Sequence, residues 1–153
     1  MKSSIRVAAA VIATAVAGVG LYTLVTPQEV RLDADPTNLA QVAVGEKLYG
    51  AHCASCHGRA LEGEENWRQQ RADGSFPAPP HDETGHTWHH ADGQLFDITK
   101  RGGAVYNPRS AMPGFGGTLG DDEIWSILAY IKSRWPEPVQ ARQRTVTLAA
   151  DER

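Results

Sequence analysis

Apolar residues recur along this chain at helical spacing in three places, and run unbroken in a fourth. In the first helical segment Val44, Leu48 and His52 fall on one face, with Leu39 and Val42 close to it. Asp35 before Pro36 reads as the N-cap and first residue of that helix. Gly45 is costly in its interior. A middle helix is predicted over Asp92 to Arg101, with Leu95, Phe96 and Ile98 as its apolar residues and Gly102-Gly103 as its stop. The last helix carries Ile124, Ile127, Leu128 and Ile131 at i, i+3, i+4 and i+7. Asp121, Asp122 and Glu123 complement its N-terminus, Lys132 and Arg134 its C-terminus, and Pro136 closes it. Trp125 and Tyr130 are candidates to pack where it crosses Gly45 and Tyr49. Asn66 to Gln70 suits a short helical turn, and Ala72 to Pro80 a loop. Glu137 to Arg153 reads as a polar, mobile tail, or else as a docking strap around Val146 to Leu148.

The unbroken run is Val7 to Val25, nineteen residues without a charge, preceded by Lys2 and Arg6. A positive start followed by an apolar stretch signals export, with Lys2 and Arg6 left on the cytoplasmic side. The run is just long enough to span a bilayer as an N-terminal apolar helix. Ala15-Val16-Ala17 offers a small-residue cleavage site as the alternative. Residues 1-28 are therefore assigned to a signal or membrane-anchor segment, with residues 7-25 as the tether.

Charge narrows the partners. Lys2 and Arg6 are the only charged residues before Glu29, so of 15 Lys+Arg and 18 Asp+Glu the chain from Thr26 onward keeps a net −5. Neither nucleic acid nor an anionic lipid surface is favoured, whereas a basic patch on a redox partner would be. An apolar content of 41% suits a folded core, and 15 Gly with 9 Pro imply long turn-rich connections that need something central to pack on.

The two cysteines supply it. They occur as Cys53-Ala54-Ser55-Cys56-His57. A disulfide across two residues would close a tiny loop and add little stability. A thioredoxin-like site wants a strand before it and a βαβ setting, and zinc would want a second cysteine pair. Haem attachment uses every residue: both thiols add to the porphyrin vinyl groups, and His57 supplies the proximal nitrogen to iron.

Met112 is the one methionine besides the initiator, in Ser110-Ala111-Met112-Pro113-Gly114-Phe115-Gly116-Gly117. A lone methionine is commonly core filler. Here proline and glycine exclude regular structure, and 55 residues from His57 leave room to reach the other face of a haem. Met112 is thus the candidate distal ligand. Ligation by nitrogen and thioether raises the reduction potential and leaves iron no open position.

These residues resemble the class I, mitochondrial-type cytochrome c superfamily, and within it the bacterial single-haem domains. The resemblance runs from about Pro36 to Pro136. It rests first on Cys53-Ala54-Ser55-Cys56-His57-Gly58, then on Met112-Pro113-Gly114-Phe115 and the final helix. It implies an all-α fold wrapped round one covalently held haem c, with residues 36-136 as the cytochrome c domain and 137-153 as a tail. It further implies that Gly45 lets the terminal helices cross closely. A proline carbonyl should accept a hydrogen bond from Nδ1 of His57 and strengthen it as a donor; Pro77, Pro79 and Pro80 are all candidates. Trp67, Arg68, Trp88 and Arg109 are candidates to meet the haem propionates, with Trp88 and Arg109 preferred among the four and core or surface packing an equal alternative for each.

His81, His86, His89 and His90 lie within ten residues, beside Asp82, Glu83 and Asp92. A polar loop is the plain account. The alternatives are a second metal site for copper or zinc, with His86 and His90 on one helical face, or a histidine replacing Met112. Taken together, the sequence predicts a periplasmic electron carrier, soluble or tethered, between a dehydrogenase or quinol-oxidising complex and a terminal oxidase or reductase. The alternatives are a subunit of such an oxidoreductase, or peroxidase-type catalysis at the haem.

Overall fold

The structure, a computed structural model, describes residues 34–152. The segment 1-28, with its proposed tether at residues 7-25, lies outside the described residues. Among the described residues the secondary structure is entirely helical. The helices are α1 (Leu39–His52), α2 (Ala54–His57), α3 (Asp92–Arg101), α4 (Asp121–Ser133) and α5 (Glu137–Asp151), with 3-10 turns at Thr87–His89 and Gly103–Val105. None of them is long and apolar enough to cross a membrane.

Helix α1 starts later than its capping signals suggest. Asp35 accepts from Thr37 N–H at 2.8 Å and from the Thr37 hydroxyl at 2.7 Å, so its carboxylate is committed to a turn. Asn38 is the N-cap instead, with its side chain accepting from Gln41 N–H at 3.2 Å. The buried face also differs from the expected stripe. Leu39 and Val44 are exposed, whereas Gly45, Tyr49 and Cys53 are buried at i, i+4 and i+8. The helix is thus turned by about one residue, roughly 100°, so that its glycine faces α4 and its end delivers a thiol inward.

Gly45 is where α1 and α4 touch. A Cβ placed there would overlap the Ser126 carbonyl and lie 2.9 Å from Cβ of Tyr130. Only glycine permits this approach. Tyr49 and Tyr130 meet at the crossing, ring centroids 5.4 Å apart. Trp125 takes another partner and stacks on Phe96 of α3 at 4.3 Å. Gly45→Ala should gain about 1 kcal/mol of helix propensity. It should lose about 1–3 kcal/mol or more to overpacking against a backbone that cannot yield. A net fall in the denaturation midpoint is expected, and an unchanged or raised midpoint would refute the close crossing.

The stripe of α4 is buried as its periodicity requires: Ile124, Ile127, Leu128 and Ile131 are all under 5% exposed. Glu123 accepts from Gly120 N–H at 2.9 Å and so caps the start. Helix α3 spans the predicted residues and stops at Gly102, whose φ of +93° suits glycine.

The segment after Pro136 corrects the tail reading. Pro136 is the N-cap of α5, a 15-residue helix seated on the rest of the fold. Its contact is polar. Gln143 Nε2 donates to Asp92 Oδ1 at 2.6 Å and reaches Thr147 Oγ1 and the His90 carbonyl, both at 3.1 Å. Thr147 Oγ1 accepts from Asp92 N–H at 3.1 Å. Asp92 Oδ2 in turn binds Lys132 Nζ of α4 at 2.6 Å, with both side chains under 8% exposed. Composition gave little sign of this helix because its fully buried residues are an amide and a hydroxyl, with Val139 alone of its side chains packed on the hydrophobic cluster.

Candidate haem-binding site

The thiols are placed by a short helical segment that continues from α1. Cys53 N–H donates to the Tyr49 carbonyl at 2.9 Å, and His57 N–H to the Cys53 carbonyl at 3.0 Å. Both cysteines are free, Cys53 buried and Cys56 exposed. Burial, then the neighbouring Cys56, pushes the Cys53 thiol up to about 11. The segment ends at Gly58, with φ +78°, where the Tyr49 hydroxyl donates to the Gly58 carbonyl at 3.0 Å.

His57 is 6% exposed, and its Nδ1 lies 2.8 Å from the Pro79 carbonyl. The structure therefore selects Pro79 from the three prolines. A carbonyl only accepts, so Nδ1 carries the hydrogen and Nε2 keeps a lone pair. Burial lowers the pKa of His57; the Pro79 bond and Glu64 oppose it less strongly. Neutral imidazole with a free Nε2 is the form that ligates a metal. The loop carrying Pro79 is held in turn: Ala78 N–H donates to Glu64 Oε2 at 2.6 Å, and Glu64 pairs with Arg71 at 2.7 Å.

Met112 sits on a loop fastened to the end of α3. Its carbonyl accepts from Gly103 N–H at 3.1 Å, and its N–H donates to Ser110 Oγ at 3.3 Å. Two further backbone bonds follow, Phe115 N–H to Thr99 O at 3.0 Å and Gly116 N–H to Lys100 O at 2.9 Å. Lys100 then reaches Asp121 at the start of α4 at 2.8 Å.

Free thiols on one helical segment, a buried imidazole with its tautomer fixed and an anchored thioether loop are a donor set that fits a covalently held haem. The comparisons agree. The family model described as "Cytochrome C oxidase, cbb3-type, subunit III" matches residues 40–131, more than half of the chain. The chain belongs to this cytochrome c family. It is also 29% identical over 97 residues to a cytochrome c6 of Diacronema lutheri, covering 61% of this chain and 95% of that protein. As a single-haem c-type cytochrome domain with one Cys-x-x-Cys-His motif, it carries haem c with its iron and transfers electrons.

The histidines after Pro80 take mostly separate partners, although the rings of His86 and His90 meet edge to face with centroids 5.4 Å apart. His81 stacks on His57 at 4.0 Å, His86 on Trp67 at 5.4 Å and His89 on Trp88 at 3.7 Å. His90 Nδ1 lies 3.2 Å from Gln94 Oε1. Asp92 is taken by Lys132, and Asp82 accepts from Thr84. Among the described residues no group of three or more His, Cys, Asp or Glu is placed to hold a metal. Metal analysis of the holoprotein after mild chelation should accordingly return iron alone, and stoichiometric copper or zinc would contradict that.

The preferred propionate candidates are not brought together. Trp88 packs partly against the core with its indole N–H directed at the Glu83 carbonyl, 3.3 Å away. Arg109 is exposed on the loop that leads to Met112. Trp67 carries Arg68 over its ring at 4.0 Å. Sequence reasoning missed the stack of His81 on His57. The one sign was its place directly after the three candidate prolines, which the cluster of neighbouring histidines masked.

Proposed function

We propose that this chain is a mono-haem electron carrier of the periplasmic side. It would take electrons from a dehydrogenase or quinol-oxidising complex and pass them to a terminal oxidase or reductase. Cys53 and Cys56 would hold the haem through thioethers, and His57 and Met112 would ligate its iron. The haem supplies a one-electron couple. The protein's part is to keep both ligands in place in either oxidation state, so that little reorganises during transfer.

The observation that carries this reading is the anchoring of the Met112 loop. Its backbone bonds to Gly103, Thr99 and Lys100 tie the thioether to helix α3. A loop pinned by its main chain limits how far the thioether can withdraw to admit oxygen or peroxide. Extracytoplasmic placement rests on Lys2, Arg6 and the apolar run at residues 7-25, which also provide the possible membrane tether. Trp88 and Arg109, although the fold does not bring them together, would each neighbour a haem propionate.

The test is the spectrum of the purified holoprotein. Low-spin haem, a weak near-infrared band from methionine to ferric iron and no ready binding of cyanide are expected. Ready cyanide binding without that band would favour peroxidase-type chemistry. The second reading, a subunit of an oxidase, is favoured by the description of the matching family and by Val105 and Tyr106, exposed by 40% and 52%. Recovery only in a stoichiometric membrane complex, never as a monomer, would decide for it.

Attachment gives a further check. Cys53→Ala leaves one thiol for the haem, and most of the holoprotein yield should be lost. Equal yield and an unchanged mass for the haem-bearing peptide would show that the buried thiol is not a point of attachment.

A further inference from the structure

The bond from His57 Nδ1 to the Pro79 carbonyl fixes the tautomer of the imidazole and restrains its plane from one edge. A second constraint lies on its face. The ring of His81 is stacked on that of His57, centroids 4.0 Å apart and planes 24° from parallel.

His81 is itself held at several points. Its N–H donates to the Leu61 carbonyl at 2.8 Å. Its carbonyl accepts from the indole N–H of Trp135 at 2.7 Å. Its Nδ1 meets Thr87 Oγ1 at 2.8 Å, and Thr87 is 6% exposed. Tyr49 presents an edge to the ring at 6.3 Å. Main chain and side chain are thus both tied. A flat group fixed in this way does more than fill space, because it dictates the plane of the ring packed against it.

We propose that His81 is a positioning residue for His57, setting the plane in which the proximal imidazole presents Nε2 to the iron. Leu61, Thr87 and Trp135 hold His81 in that place. The plane matters because the iron orbital that carries the unpaired electron of the ferric state follows the orientation of the imidazole plane. The hydrogen bond at Nδ1 sets how strongly His57 donates and restrains the ring at one edge, and the stacked ring adds a restraint on its face. This inference rests on His57 being the axial ligand.

The experiment compares the holoprotein with His81→Leu, His81→Phe and Thr87→Val. The readouts are the electron paramagnetic resonance g-values and the haem-methyl NMR shifts of the ferric state. Both follow the imidazole plane, and neither responds to a mere loss of stability. His81→Leu should redistribute the methyl shifts and move the largest g-value. His81→Phe, which keeps a flat ring, should stay near the wild-type pattern. Thr87→Val keeps the shape of the side chain but removes the partner of Nδ1, so it should move the pattern in the same sense as His81→Leu, by less. Wild-type patterns in both His81→Leu and Thr87→Val overturn the proposal. If His81→Leu fails to mature, Thr87→Val decides alone. A wild-type protein without low-spin haem would instead overturn the ligand reading of His57, and this inference with it.

Discussion

With Met112 as the proposed distal ligand, Met112→Ala should lower the reduction potential of the haem and open the iron to added ligands. Alanine supplies no donor, and the loop cannot offer a neighbour in its place. Ala111, Pro113 and Gly114 carry no side-chain ligand, and the loop backbone is committed to Gly103, Thr99 and Lys100. Water or an added anion then takes the sixth position, and the preference of the thioether for ferrous iron is lost. Axial ligation spans roughly 0.8 V across haem proteins, so a fall on the order of 100 mV or more is expected. Potentiometric titration reads the fall, and cyanide or imidazole binding reads the vacancy. An unchanged potential and unchanged spectra would place the distal ligand elsewhere.

The second large effect lies away from the haem. Lys132→Ala strands the Asp92 carboxylate, on a residue 5% exposed, with Gln143 Nε2 as its remaining hydrogen-bond partner. Removing one partner of a buried pair costs about 3–5 kcal/mol, because the other charge stays buried. The double variant Asp92→Asn with Lys132→Met removes both charges and should lose less than Lys132→Ala alone. Urea unfolding of the holoprotein, with midpoints and slopes compared, measures both. A loss below about 1 kcal/mol in Lys132→Ala would mean that the pair is better solvated than its burial implies.

The same pair shows what sequence can reveal and what it cannot. The thiol motif, the lone methionine and the stripe of α4 are local or periodic, and such signals survive in one dimension. Helix α3 was legible from end to end because two glycines stop it at a position where φ is positive. Lys132 carried no comparable mark. At the end of α4 it reads as an exposed complement to the helix dipole, and its partner lies 40 residues earlier. Helix α5 was hidden for a related reason: it docks through Gln143 and Thr147, and hydrophobic periodicity is blind to a polar seat. The start of α1 was misplaced because Asp35 and Asn38 both carry capping side chains, and only the turn at Thr37 shows which one is free to cap. In the site, Pro79 could not be told from Pro77 or Pro80, since three prolines in four residues give the same local signal.

The seat of α5 also bears on how the fold loosens. Gln143 and Thr147 lie over the buried pair of Asp92 and Lys132, which joins α3 to α4. Were α5 to lift, water would reach both charges and the pair would weaken towards an exposed one. The polar helix thus serves as insulation for a bond between two others.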